Sequence, residues 1–523
     1  MHHLPFIDIT VIACYMLGTL AIGFYFSKKN RNSEQFTTAS GKIPGWAIGI
    51  SIFATFLSSN TFLGVTGKAF GGNWNAFVFS LSMPLAAWVA VKYFVPFYRR
   101  GHEVSAYTHL EKRFGPWART YAVTCFLLTQ VARMGTIFFG IALSLQALTG
   151  FSMASIIIVM GACIILYTVM GGMEAIIWTD VTQGIILTLG ALLVLFYVIK
   201  DIPGGIGTVV ETGIKNNKFS LGSFTPDFTI ASFWVILLYG FFINLNNFGM
   251  DQNYIQRYHT ATSEKKAARS VWLCVFLYVP VSLLFFILGS SLFAYYNLHP
   301  EMATVVKLQA AAEQFGNNHT NEQVASVAAS LPPAAFGDKV LPHFMVSKMP
   351  AGLVGLVIAA ILSAAMSSIS SCMNASATVF AVDIYKKYIK KDPPEKKLMT
   401  ILYTGTAVFG VVGVMAGLAM IGSKSILDVW WELSGIFAGG MLGLFLLGLI
   451  SRQTKNSEAI TAGLIGIAVI LWMTFSNRIG VEYGWLKSTF DNNMIVVIGT
   501  LTIFLTGVLL TRLKRLLEKT RPL

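Results

Sequence analysis

Ile52-Phe53-Ala54-Thr55-Phe56-Leu57-Ser58-Ser59-Asn60-Thr61-Phe62-Leu63-Gly64 lies in the middle of an apolar stretch that runs from residue 46 to 70. That stretch is long enough to cross a bilayer, for which about 20 residues suffice. Its centre, however, is polar and poor in helix formers, with a glycine close behind. A helix broken at that depth frees backbone carbonyls, and lipid offers them no partner. Breaks of this kind survive where they line protein or a wet cavity, which is where secondary transporters keep their sites. A second stretch is interrupted in a corresponding way: Tyr239-Gly240-Phe241-Phe242-Ile243-Asn244-Leu245-Asn246-Asn247-Phe248-Gly249 sets three asparagines near mid-membrane. Five spans begin with each broken one, which suggests an inverted repeat. A helix kink without transport is the competing reading of each patch.

Working outward, 55% of the 523 residues are hydrophobic and 12% are charged, with a mean hydropathy of +0.65. A soluble globular chain carries about twice that charged fraction. The net charge of +14 would suggest nucleic acid in a soluble protein. Here the basic residues fall in short connections between apolar spans, so membrane topology accounts for them and no nucleic-acid partner is expected. The five cysteines, Cys14, Cys125, Cys163, Cys274 and Cys372, all lie inside apolar stretches at unrelated spacings, so neither a disulfide framework nor a metal pattern follows. The first apolar stretch, Phe6 to Phe26, is too long for a secretory leader and is followed by Lys28, Lys29 and Arg31 rather than a small-residue cleavage site. It reads as a span that stays.

Windows of spanning length fall near 6–26, 46–70, 74–97, 120–148, 153–171, 175–199, 230–256, 270–295, 350–383, 399–421, 428–450, 458–476 and 492–512, or about thirteen helices. The dense basic clusters occupy alternate connections, such as Arg99, Arg100, Lys112 and Arg113, then Lys386, Lys387, Lys390 and Lys391. The positive-inside rule then predicts an amino terminus outside, a carboxyl terminus in the cytoplasm and a multi-pass protein of the cell membrane. The expected organisation is one transmembrane unit over 1–523: a first span at 6–26, repeat one at about 46–199, repeat two at about 230–450 and accessory spans over 458–512. The long connection 296–349, with its alanine-rich run Val324 to Ala329, is expected to cap the outer face.

Ser367-Ser368-Ile369-Ser370-Ser371 places four hydroxyls within five residues of the ninth span. At ~3.6 residues per turn, Ala364, Ser368 and Ser371 share one face, with Ser367 beside Ser370 and Ser371. Oxygen donors without bulk suit a hard cation such as Na⁺. Close helix packing is the other use of small residues at such a place. No nucleotide loop, metal triad or nucleophile elbow occurs, so an enzyme is not expected.

Taken together these residues resemble the sodium:solute symporter family. The resemblance is carried by Ala54-Thr55-Phe56-Leu57-Ser58-Ser59, by Tyr167-Thr168-Val169-Met170-Gly171-Gly172 with Trp178-Thr179-Asp180, and by Asp251-Gln252 with Gln256-Arg257. The serine run and Gly439-Gly440 complete it, in the family's order over residues 6 to 512. The resemblance implies an all-α polytopic protein with the LeuT-type 5+5 inverted repeat and flanking helices. It also implies a solute moved by the Na⁺ gradient through alternating access. A first Na⁺ is then expected on the carbonyls of Ala54, Leu57 and Ala364 and the hydroxyls of Ser367 and Ser368. That set holds no titrating group, which favours Na⁺ over protons there. Some sialic-acid carriers of the family bind an additional Na⁺ with an aspartate matching Asp180, so a second ion on Asp180, Ser370 and Ser371 is expected. Asp180 as an ordinary interfacial acid is the alternative.

Arg133 bears on the solute. It lies ~14 residues from Arg119, or ~21 Å along a helix, too far for an easy snorkel to water. A guanidinium at that depth is paired, for instance with Glu432, or grips a solute carboxylate bidentately. The resemblance sharpens the second reading, since sialic-acid carriers have an arginine at the matching position and sugar, proline and iodide carriers generally do not. Ser58 and Thr61 match hydroxyls that those carriers use for substrate. Ala76 and Ser80 depart from the aromatic and glutamine found there, Phe56 replaces a threonine, and Glu432 stands where an asparagine is usual. Asn244, Asn247 and Glu432 read as hydroxyl recognisers or as packing for the broken helix. The expected partners are an acidic sugar, with N-acetylneuraminate as the first candidate, together with sodium ions and the lipid bilayer. No obligate protein partner is evident. A neutral sugar, a monocarboxylate, an amino acid or a non-transporting sensor is the alternative.

Overall fold

The computed structural model describes residues 4–28, 32–59, 61–101, 104–315, 320–421, 426–476 and 481–519; within these, the side chains of 147, 313–315, 426–436, 481–483 and 519 are outside the description. The described residues are helical almost throughout, and extended pairing among them is limited to an isolated bridge between Ile43 and Ala261. We number the principal helices α1 (Phe6–Ser27), α2 (Gly45–Phe56), α3 (Thr61–Gly71), α4 (Trp74–Gly101), α5 (Pro116–Thr149) and α6 (Met153–Lys200). They continue as α7 (Phe233–Met250), α8 (Gln252–Thr260), α9 (Glu264–Leu298), α10 (Gly337–Lys348) and α11 (Leu353–Ile389). The chain ends with α12 (Glu395–Ala419), α13 (Ile426–Ile450), α14 (Asn456–Ser476) and α15 (Met494–Lys519).

By length and composition ten of the described helices can cross a membrane, or eleven if the bent pair α2 and α3 is one span, rather than about thirteen. Two places account for the difference. Helix α6 is one 48-residue element, and a helix of that length would measure ~72 Å. It is broken at Gly172, whose φ of 56° and ψ of −158° only glycine adopts readily. In α13 only Phe437–Ile450 is described with side chains, and it falls below spanning length.

Helix ends follow the local chemistry. Ser152, Ser232 and Ser263 each accept a backbone N–H in the first turn of α6, α7 and α9. Helix α2 stops at Leu57, whose ψ is 118°, and α2 and α3 meet at 64°. The second break differs from expectation. Helix α7 runs unbroken through Asn244, Asn246 and Asn247, and the chain departs from helical geometry at Asp251 (φ −83°, ψ 116°). Asparagine in a helix interior costs only a fraction of a kcal/mol, about 0.7 at most relative to alanine. Asp251 instead accepts the Asn253 N–H and so starts α8.

Helix α11 is the centre of the bundle. Every residue from Val357 to Val379 is buried, so it is apolar or small all round and packs against α1, α2, α5, α6 and α12. The 296–349 connection forms helices at Pro300–Phe315 and Asn321–Ser330 besides α10. Helix α10 lies on α3 through glycine against glycine: a Cβ on Gly337 would sit 2.5 Å from the Gly67 carbonyl.

The start of α11 is held by α1. Buried Asp8 Oδ1 accepts the N–H groups of Gly352 (2.7 Å) and Gly355 (2.6 Å). Asp8→Ala is expected to lower stability by about 1–2 kcal/mol, because it orphans two helix-start donors and removes a charge from the favourable end of the dipole. Thermal unfolding of the detergent-purified protein measures this. Asp8→Asn, which keeps an acceptor, should recover most of the loss.

Candidate ion and solute site

The last N–H of α2, that of Leu57, bonds Phe53 O at 3.2 Å. The next N–H, from Ser58, turns to Thr61 Oγ1 at 3.3 Å. In a continuous helix it would have bonded Ala54 O. That carbonyl is therefore released from the helix, and it accepts the Ser367 hydroxyl of α11 at 3.0 Å. Ser367 Oγ also lies 3.2 Å from Ala364 O, and Ser368 Oγ lies 3.4 Å from Thr55 O. Of the five residues expected to hold the first Na⁺, Ala54, Ala364 and Ser367 thus meet where α2 ends on α11, Ser368 lies on the neighbouring Thr55 carbonyl, and Leu57 is the extended residue at the break. One hydroxyl proton can serve only one of two carbonyls at a time. When it turns away, the Ala54 and Ala364 carbonyls and the Ser367 hydroxyl leave neutral oxygens side by side, a donor type that suits a hard monovalent cation.

Behind this cluster lies the second set. Asp180 of α6 is fully buried; its Oδ2 accepts the Ser51 hydroxyl at 2.6 Å and Arg257 Nη2 at 2.7 Å. Arg257 Nη2 also reaches Ser371 Oγ at 2.7 Å, and its Nε reaches Ser51 Oγ at 2.7 Å. Ser370 and Ser371 donate to Ser367 O at 3.2 and 2.8 Å. Asp180 and Ser371 are therefore joined through Arg257, and Asp180 Oδ1 is buried without a partner. Asp180 is no interfacial acid.

Arg133 of α5 reaches between the two breaks. Its Nη2 donates to Thr55 O at 3.2 Å, and its Nη1 lies 3.8 Å from Asp251 Oδ2. Its nearby acid is thus Asp251, whereas the Glu432 side chain lies outside the described residues. Phe56 stacks on Tyr254 of α8 at 4.4 Å and packs against Phe248 and Tyr278, which closes the site with aromatic rings. Ser58 and Thr61, half-buried, flank the first break. Ser80 is turned to Ser282 of α9 at 2.7 Å, and Ala76 packs in an apolar cluster with Trp74, Phe77 and Phe286. Asn244 donates to Ser82 of α4 at 3.3 Å while its Oδ1 is unpartnered, and Asn247 is half-buried one turn along.

Sequence reasoning counted Asp251 and Arg257 toward the resemblance but not among the site residues. Both stand at the centre. The available signal was α8 itself: Gln252, Asn253, Gln256, Arg257 and Thr260 are all buried, a polar helix that the interior must satisfy. Substituting Ser367 and Ser368 together with alanine is expected to raise the Na⁺ concentration for half-saturation about tenfold, the loss of ~1.4 kcal/mol of oxygen coordination. Equilibrium binding of radiolabelled Na⁺ to the purified protein measures it, and an unmoved isotherm returns the pair to packing.

Comparison with known proteins is consistent along the whole length. The model of the family described as "Sodium:solute symporter family" matches residues 36–466. A sodium/sialic acid symporter of Aliivibrio fischeri is 31% identical over 495 residues, covering 93% of this chain and 91% of that protein. One of Proteus mirabilis is 31% identical over 508 residues, 96% of each. A sodium/glucose cotransporter of Vibrio parahaemolyticus is 26% identical, covering 91% and 86%. Among solved structures, a Na⁺-coupled sialic acid symporter in a substrate-bound, outward-open state superposes with a TM-score of 0.84 at 29% identity, over 97% of this chain and 98% of that one. A transporter of the nucleobase-cation-symport-1 family shares the fold alone, with a TM-score of 0.56 at 15% identity over 91% and 94%. The broken α2–α3 pair, the oxygen cluster on α11 and these likenesses over nearly the whole length agree: this chain belongs to the sodium:solute symporter family.

Proposed function

We propose that this chain is a Na⁺-driven importer of an acidic sugar, with sialic acid (N-acetylneuraminate) as the first candidate. It works by alternating access in the cell membrane, amino terminus outside and carboxyl terminus in the cytoplasm, as one transmembrane unit over 1–523. Sodium is the coupling ion of the family, and the oxygen cluster at Ala54, Leu57, Ala364, Ser367 and Ser368 is its first site in this reading. Asp180, Ser370 and Ser371 take a second. Each ion carried inward adds ~2.3 kcal/mol per 100 mV of membrane potential, provided no compensating charge moves with it.

The observation that carries the acidic solute is Arg133. Its side chain keeps 19% of its surface exposed and lies 3.8 Å from Asp251, whereas Arg119 and Arg257 hold their acids at 2.6 and 2.7 Å. A guanidinium so loosely paired retains donors for a carboxylate, which it binds as a fork. Ser58, Thr61, Asn244, Asn247 and Glu432 are the hydroxyl-reading groups of the proposal, with Ala76 and Ser80 on the rebuilt wall. The names of the two relatives at 31% identity support the same solute.

One observation favours a second reading. Asp251 faces Arg133 and offsets its charge, so a solute without net charge, a neutral sugar or a zwitterionic amino acid, would meet a balanced site. Reconstitution in vesicles under an imposed Na⁺ gradient, with labelled N-acetylneuraminate, glucose, proline and short monocarboxylates, decides between them. N-acetylneuraminate is expected to accumulate. Arg133→Ala should cut its uptake by more than about 100-fold while Na⁺ binding persists, the cost of a lost charge-assisted fork of roughly 3 kcal/mol. Unchanged solute affinity in that variant removes the anchor. Asp180→Asn should shift the reversal potential toward one fewer Na⁺ per solute.

A further inference from the structure

Arg257 is 1% exposed and satisfies its guanidinium entirely within the protein. Nη1 donates to Asn253 O at 2.5 Å, Nε to Ser51 Oγ at 2.7 Å, and Nη2 to both Asp180 Oδ2 and Ser371 Oγ at 2.7 Å. Two of the three residues proposed for the second Na⁺ are therefore already bonded to a monovalent cation tethered to the chain. We propose that Arg257 is a built-in rival of the second Na⁺: the guanidinium neutralises Asp180 while the ion is away and must leave that carboxylate when the ion binds. The inference rests on the reading of Asp180, Ser370 and Ser371 as a sodium site.

Three observations support competition rather than joint occupancy. A buried carboxylate needs a counter-charge, and Arg257 supplies one unit, so Asp180 and Arg257 together are neutral. A sodium ion added beside an unmoved guanidinium would leave an uncompensated positive charge among buried groups. Asp180 Oδ1 is buried and without a partner, so the ion has an oxygen to approach before the guanidinium lets go of Oδ2. Arg257 also sits on a short element next to a helix break. Helix α8 is nine residues long and begins at the extended joint of Asp251, so releasing the guanidinium removes its ties to Asp180 of α6 and Ser371 of α11 and leaves Gln256 on Asn374 and Thr378 as its side-chain link to α11. The first ion is linked to the same event, because the Ser367 carbonyl accepts the Ser371 hydroxyl while the Ser367 hydroxyl faces Ala54 O. Ion occupancy would thereby be reported to the second broken helix, where Asp251 faces Arg133.

The test is equilibrium binding of radiolabelled Na⁺ to the full-length purified protein without solute. The Asp180-dependent component is the difference between the parent and Asp180→Asn. Arg257→Gln is expected to lower the half-saturating Na⁺ concentration of that component about tenfold or more, since the competent state no longer has to be freed first. Arg257→Lys, a charged rival without the planar fork, should fall between the two. An Asp180-dependent component that is unchanged or weakened in Arg257→Gln overturns the proposal. So does an isotherm indifferent to Asp180→Asn in both backgrounds. Should Arg257→Gln not fold, amide hydrogen exchange of the unsubstituted protein reads the same event. Sodium is expected to raise exchange over 252–260 in the parent and not in Asp180→Asn, and an equal response in both rejects the idea. Because no solute is present, loss of this effect with intact solute uptake sinks the rivalry alone. Failure of the solute screen with the effect intact sinks only the solute assignment.

Discussion

A backbone carbonyl released inside a bilayer must find a partner within the protein, and the centre of this molecule is arranged around that constraint. Helix α2 ends at Leu57 because the Ser58 N–H turns to Thr61 Oγ1 rather than back to Ala54 O. The carbonyls so freed are met by hydroxyls from α11, which is buried on every side and has no other place to put Ser367 and Ser368. Each group is thus kept in place by the other's need. A hydroxyl can rotate its single proton from one acceptor to another, so in the proposed reading the same oxygens are offered to a cation and taken back.

The charged residues obey a related rule. Arg133, Arg257, Asp180 and Asp251 all lie within the bundle, where each would be costly alone. They occur as two pairs of different tightness: Arg257 on Asp180 at 2.7 Å, and Arg133 opposite Asp251 at 3.8 Å. The tight pair is fully enclosed, while the loose one retains exposure on the arginine. Both pairs touch α8, which starts at Asp251, so in the proposed reading one short polar helix meets the residues of the second ion and the solute anchor together. Coupling of two sites requires an element that both of them bias, and α8 meets that requirement geometrically.

A further group of contacts holds the end of α11 remote from Asp8. Arg119 bonds Asp383 at 2.6 Å and Glu111 at 2.6 Å, Lys387 bonds Glu111 at 2.7 Å, and the Ser105 hydroxyl bonds Asp383 at 2.7 Å. With Asp8 at its start, α11 is clamped at both ends.

Much of this was legible in the sequence, and for a plain physical reason. Lipid forbids unsatisfied backbone, so apolar length alone marked where most helices run, and polar patches such as Ala54 to Thr61 marked where one must break. The serine run on α11 was legible because hydroxyls at that depth demand partners. Hydropathy could not locate the second break. Asn244 to Asn247 looked the more disruptive stretch, yet a helix accommodates asparagines and it was Asp251, by capping α8, that ended α7. Nor could one chain read in order show that Arg257 reaches Asp180, 77 residues away, or that Arg133 faces Asp251. Pairing among buried charges depends on which helices lie side by side. The sequence determined that such charges must be paired, and the tertiary structure alone decided with whom.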